Sequence, residues 1–262
     1  MNKAHPMPIK AILWDCDGTL VDSEPLHDEC IRAVAGEHGA PLNHEDVKRF
    51  LGRTTKDIWA YLHQERGLTL DFDGWLSSIH AYYRAHAPAK VKPRPGVESQ
   101  ILLFASMGLK QAVVSNSTRP LVDASLGVLD AGKMLEFSIS ANDVGKPKPD
   151  PEPYFRAALK LMLPPHQCLV VEDSPAGARA GKAAGMKVMV WPQNPELVYD
   201  EVDYITDSLT TPDWVRIIRR RRKPTPLIAR SLAAGLPPAP IDDDTDHDGE
   251  TEEHPAAAPK HD

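Results

Sequence analysis

The sequence contains no run of 18 apolar residues, so no segment is suited to cross a bilayer as a helix, although 42% of the 262 residues are hydrophobic and can supply a sizeable core. Cysteine is scarce. Cys16, Cys30 and Cys168 have no framework spacing, and Cys16 and Cys168 lie in or beside apolar runs, which argues against a disulfide scaffold and for a reducing compartment. The opening residues, MNKAHPMPIK, lack the apolar middle of a secretory signal, so cytoplasmic residence is expected. An excess of positive charge is also missing: 30 Lys and Arg against 37 Asp and Glu give −7, which argues against a nucleic-acid partner, and no membrane partner is expected either. Eleven histidines form no zinc-like cluster, and His247, His254 and His261 read as solvated tail residues. The glycines between Ala176 and Met186 lack the order of a nucleotide fingerprint and suit close helix packing instead.

The negative charge that is present is unevenly placed. From Ile241 onward nine acidic residues face one lysine, so this tail carries −8 and the body before it is nearly neutral. Proline, alanine and acid dominate residues 237–262, which cannot offset ordering entropy with apolar burial and are expected to be disordered. Residues 213–236 read as a terminal helix followed by a basic segment, Arg219 to Lys223.

Short apolar runs recur at Ile9 to Trp14, Ala112 to Val114, Phe137 to Ile139, Leu169 to Val171, Val188 to Val190 and Tyr204 to Ile205, with helical stretches between most of them. That alternation predicts an α/β fold with a mostly parallel sheet covered on both faces. One interval breaks the rhythm. Between Asp22 and Pro93 the pattern is helical with little strand character, which predicts a helical insert over the sheet's carboxyl edge, returning through Lys92-Pro93-Arg94-Pro95-Gly96. The expected division is a core of residues 1–21 and 94–212 and a helical cap of residues 22–93.

Four clusters at predicted strand ends carry chemistry. In DCDGTLVDSE, Asp15 and Asp17 follow a buried strand, and Gly18 lets the backbone turn, so both carboxylates can reach one cavity, bind a hard cation and leave an oxygen free as a nucleophile. Ser115-Asn116-Ser117 offers hydroxyl and amide groups to an oxyanion, or caps the following helix. In VGKPKPDPEPYF, Lys146 has a constrained backbone and an ammonium able to neutralise phosphate; a surface turn with two solvated lysines, Lys146 and Lys148, is the other reading. LVVEDSPAG places Glu172 and Asp173 at a strand end, with Ser174 as a helix cap.

The order and spacing of these clusters, over about Ile9 to Asp207, closely resemble the haloacid dehalogenase-like hydrolase superfamily, in the phosphatase and beta-phosphoglucomutase branch with a helical cap. The resemblance implies a Rossmann-like core, Mg²⁺ as cofactor and a small phosphorylated metabolite as partner. It assigns Asp15 as nucleophile, Asp17 as general acid and base, Ser115, Asn116 and Lys146 as phosphate-binding groups, and Asp173 as a metal ligand with Asp15 and the Asp17 backbone carbonyl. Glu172 supports the metal shell, and Lys148 is left peripheral. Dehalogenases of the family generally lack the second aspartate, so Asp17 favours phosphoryl transfer.

Phosphatase and mutase share this chemistry, and DSEPLH, Asp22 to His27, fits both. His27 aligns with a mutase histidine at the junction of core and cap, and equally suits packing. The mutase pattern places an arginine where this chain has Thr55, which favours a phosphatase, with Arg53 and Thr54 as cap contacts to substrate. A non-catalytic interaction protein on the same fold is the third reading, disfavoured because every catalytic residue type is retained. The exact substrate and the oligomeric state are left open.

Overall fold

The computed structural model describes residues 8–50, 53–210 and 217–218. The expected acidic tail and basic segment, and all of the expected terminal helix except Ile217 and Ile218, lie outside them. In chain order the elements are β1 (Ala11–Trp14), β2 (Val21–Asp22), α1 (Glu24–Glu37), α2 (His44–Lys48), α3 (Thr55–Glu65), α4 (Phe72–Lys90) and β3 (Lys92–Pro93). They continue with α5 (Val97–Ser106), β4 (Lys110–Val114), α6 (Arg119–Leu126), β5 (Ser138–Ile139), α7 (Glu152–Lys160), β6 (Cys168–Glu172), α8 (Pro175–Ala183), β7 (Lys187–Val190) and β8 (Tyr204–Ile205).

Six strands form one parallel sheet in the order β5-β4-β1-β6-β7-β8. The central strands are buried along almost their whole length because both faces are covered. Alternate residues serve opposite faces. Ile12, Trp14, Val113, Leu169 and Val171 join one core cluster with Val97, Ile101 and Phe104 of α5. Ala11, Leu13, Ala112, Val114, Val170 and Val188 join the other with Tyr154 and Ala157 of α7 and Ala178 and Ala180 of α8. The alternation of strands and helices expected from the sequence is therefore the observed α/β architecture.

The departure between Asp22 and Pro93 is helical as expected, with one addition: its two linkers, β2 and β3, pair as a short antiparallel ribbon. Between them, α4 buries Trp75, Ile79, Tyr83 and Ala87 at a spacing of four, the stripe a helix needs to pack along its length. This stripe joins the insert to the core: the Tyr83 hydroxyl pairs with Ser125 of α6 at 2.7 Å, and His80 Nε2 pairs with Thr118 Oγ1 at 2.8 Å. Among the described residues no helix is long and apolar enough to cross a membrane.

Candidate active site

Because the sheet is parallel, the carboxyl ends of β1, β4 and β6 open on one edge, where open α/β sheets place their sites. Asp15 leaves β1, Ser115 leaves β4, and Glu172 and Asp173 end β6. One oxygen each from Asp15, Glu172 and Asp173 lies within 4.8 Å of the others.

Lys148 is the cation among them. Its Nζ donates to Asp15 Oδ1, Glu172 Oε1 and the Val114 carbonyl, each at 2.6 Å, with its side chain 2% exposed. The expectation for Lys146 is corrected: its side chain is 75% exposed and lies 3.8 Å from Asp150. Two tethers cause the exchange. Glu152 accepts the backbone N–H groups of Gly145 and Lys146, holding that turn at the surface, while the Asn116 side chain accepts from the Lys148 N–H and donates to its carbonyl, drawing Lys148 inward. The same contacts show what the Asn116 amide does in this structure: it holds the lysine loop.

Glu172 is fully buried and carries five hydrogen bonds. Lys148 and the Tyr154 hydroxyl (2.7 Å) donate to Oε1, and the Asp173 N–H, the Ser174 N–H and the Ser174 hydroxyl donate to Oε2. Such saturation makes it a buttress. Gly177 permits it, since a Cβ there would lie 1.7 Å from Glu172 Oε1. Burial, and next the charge of Glu172, push the Asp15 carboxyl up against the pull of Lys148. The same two causes push Asp173 up to about 7. Three carboxylates around one ammonium leave an excess of negative charge, and an all-oxygen donor set suits a hard divalent cation. The residues present therefore fit a metal of that class.

Asp17 lies in the loop beyond Asp15. Ser23 Oγ donates to its Oδ1 at 2.7 Å with His27 Nε2 at 3.3 Å, while Ser117 Oγ donates to Oδ2 at 2.7 Å and Ser115 Oγ lies 3.4 Å away. Burial alone would raise its pKa, but the bonds from His27, Ser117 and Ser23, with the charge of His27, outweigh burial and hold the carboxyl far below the usual range. For His27, burial is opposed by the bond to Asp17 and its charge, which leave the imidazole pKa raised. Ser23 and His27 come from the insert side and Ser117 from the core, so Asp17 sits at their junction.

The structure thus brings together Asp15, Asp17, Ser115, Glu172, Asp173 and His27. Thr54 is corrected: its hydroxyl caps α3, accepting the Asp57 N–H and donating to the Asp57 carboxylate. Arg53 is exposed just before α3, and none of its described contacts reaches the acidic cluster. Ser23 and Tyr154 are assigned no role from the sequence because a serine or tyrosine carries no spacing signal of its own, and Ser117, read there as an oxyanion or cap group, instead donates to Asp17. The three cysteines are buried free thiols, with Cys16 fully buried between the two aspartates.

Residues 12–191 match the haloacid dehalogenase-like hydrolase family. The chain is 32% identical over 213 residues to the 6-phosphogluconate phosphatase of Escherichia coli, covering 78% of this chain and 94% of that one. It is 28% identical over 201 residues to the bifunctional riboflavin kinase/FMN phosphatase of Arabidopsis thaliana, covering 76% of this chain and spanning about half, 53%, of that longer protein. The crystal structure of CbbY from Rhodobacter sphaeroides in complex with phosphate superposes with a TM-score of 0.71 at 25% identity, over 76% of this chain and 94% of that one.

Proposed function

The chain belongs to the haloacid dehalogenase-like hydrolase family, and from that premise we propose that it is a cytoplasmic, magnesium-dependent phosphatase of a small phosphorylated metabolite, a sugar phosphate or related organic phosphate. The observation that carries this reading is the Asp15 carboxylate, held through one oxygen by Lys148 beside Glu172 and Asp173, with Asp17 two residues further along. Lys148 engages Oδ1 and leaves the other oxygen of Asp15 for attack in line on phosphorus. A bond forms between Asp15 and phosphorus as the bond to the leaving oxygen breaks, and Asp17 gives that oxygen a proton. Water then attacks the aspartyl-phosphate, delivering its proton to Asp17 and releasing inorganic phosphate and free Asp15.

Because its donors favour the carboxylate, Asp17 is set first to accept a proton. Asp15, Asp173 and the Asp17 backbone carbonyl would hold Mg²⁺, which supplies positive charge to the phosphoryl oxygens when bound. We read residues 22–93 as a cap over the core of residues 1–21 and 94–212, selecting the alcohol part of the substrate. Thr55, in the first turn of α3 where the mutase pattern has arginine, favours release to water over transfer to a second hydroxyl.

The test is phosphate release in Mg²⁺ from a panel of sugar phosphates, phosphogluconate, phosphoglycolate, polyol phosphates and nucleotides, with Asp15→Asn alongside. Stoichiometric phosphate from at least one sugar-type phosphate, nearly abolished in the variant, is expected. Isomer interconversion without phosphate release would replace the phosphatase reading, and a fully active Asp15→Asn would remove the nucleophile.

A further inference from the structure

We propose that Arg94 is a positioning residue that fixes the Asp17–Gly18 backbone and couples it to the return linker of the helical insert. Arg94 follows β3 between Pro93 and Pro95, two prolines that restrict its backbone. Its N–H donates to the Leu20 carbonyl at 3.0 Å, and its Nη1 donates to the carbonyl of Gly18 and, at 3.1 Å, to that of Trp191. The guanidinium also packs over a support, with Cζ 3.4 Å from the centroid of the Trp191 ring. One side chain therefore grips the loop bearing Asp17 while resting on the core.

Trp191 is a firm support. It is buried, its N–H donates to the Glu172 carbonyl at 2.7 Å, and its indole N–H donates to the Asp207 carbonyl at 3.2 Å. Two residues on, Gln193 donates to the Asp22 carboxylate at 2.8 Å, so the same segment after β7 also ties down the outgoing linker, β2. Both linkers of the insert are held by Trp191-Pro192-Gln193, and Arg94 is the tie that reaches the catalytic loop.

The carbonyl that Arg94 grips belongs to a residue with no room for a side chain. Gly18 has φ +77°, and a Cβ there would lie 2.1 Å from Asp173 Oδ2 and 2.9 Å from Gln193 Oε1. Displacing the Gly18 peptide therefore shifts Asp17 on one side and presses on Asp173 on the other. A lysine would not replace the arginine, because a point ammonium lacks the delocalised planar group that packs over the indole. Among the described residues Arg94 has no contact with Asp15 or Lys148, but its charge bears directly on Asp173, so Arg94→Lys, which keeps the charge, separates the loop's part from that field.

The kinetic part of this inference rests on the phosphatase reading, whereas its geometric part does not, and the experiment separates them. Hydrogen exchange on the full chain compares the parent with Arg94→Met and Arg94→Lys at the amides of Thr19, Leu20 and Val21, which all donate to the Cys16 carbonyl. Exchange at least roughly tenfold faster there, with β4 and β6 unchanged, is expected for Arg94→Met and partly for Arg94→Lys. Unchanged exchange overturns the positioning role whether or not the protein is a phosphatase. With the best substrate of the panel, Arg94→Met is expected to lower kcat roughly ten- to a hundredfold with little change in KM, since small misplacement of a reacting group has that scale of effect. Arg94→Lys should recover little, and Trp191→Leu should add little to Arg94→Met. A loss of thermal stability with kcat of the folded enzyme unchanged reduces Arg94 to a structural tie and overturns the proposal.

Discussion

Lys148 directs its three N–H donors at Asp15, Glu172 and the Val114 carbonyl, so removing the ammonium leaves two buried carboxylates facing each other without a cation. Lys148→Met is therefore expected to lose about 3–5 kcal/mol of stability, the usual cost of removing one partner from a buried ion pair. Its turnover should fall by roughly a hundredfold or more, the scale on which preorganised charge stabilises a transition state. Lys146→Met, at the surface, should stay within about 0.5 kcal/mol of the parent and keep its turnover. Urea unfolding and steady-state phosphate release check the pair; a crippled Lys146→Met beside an active Lys148→Met would contradict the geometry. The sequence reading takes Lys146 and leaves Lys148 peripheral, although Lys146-Pro147-Lys148-Pro149-Asp150-Pro151 contains Lys-Pro-x-Pro in two registers offset by two residues. What separates them is a pair of tethers, Glu152 six residues from the first and Asn116 32 residues from the second, and the distant pairing is invisible to local pattern. Asp15, Asp17, Glu172 and Asp173 were legible because each ends or follows an apolar run that can only be a buried strand.

At the scale of single elements, α3 depends on its first turn. Thr54 and Asp57 form a reciprocal capping box, satisfying two N–H groups that a helix start otherwise leaves unpaired. Thr54→Ala should cost about 1 kcal/mol, within the range for losing an N-cap, while KM for the best substrate stays unchanged. Thermal unfolding and Michaelis–Menten kinetics check this, and a large rise in KM would return Thr54 to substrate contact. The capping pattern Thr-x-x-Asp was present in the sequence, but a hydroxyl at a helix start reads as a cap or as a ligand contact until its partner is known. The apolar runs expected at Ala112 to Val114 and Val188 to Val190 fall in β4 and β7, within two residues of their bounds. The ribbon of β2 and β3 was not foreseen. Each strand has two residues and one contains Pro93, so no alternation announces it, and its pairing depends on the insert folding back to its starting point.

For the molecule as a whole, function depends on bringing three separate strand ends and one helical insert to a single edge of the sheet. The charge balance there gives a prediction independent of substrate. The Asp15, Glu172 and Asp173 carboxylates outnumber Lys148, so Mg²⁺ should raise the unfolding temperature; at a hundredfold excess over its Kd a ligand adds about 2.7 kcal/mol. Chelation should reverse that shift and abolish phosphate release, and Asp173→Asn should blunt the response. No thermal response to Mg²⁺ in the parent would contradict the metal reading. The most direct measurement of the central claim is mass spectrometry of enzyme quenched during turnover with its best substrate. A phosphoryl group on the peptide carrying Asp15, absent in Asp15→Asn, is the predicted result; brisk phosphate release with Asp15 never modified, or with the adduct on another residue, would contradict it.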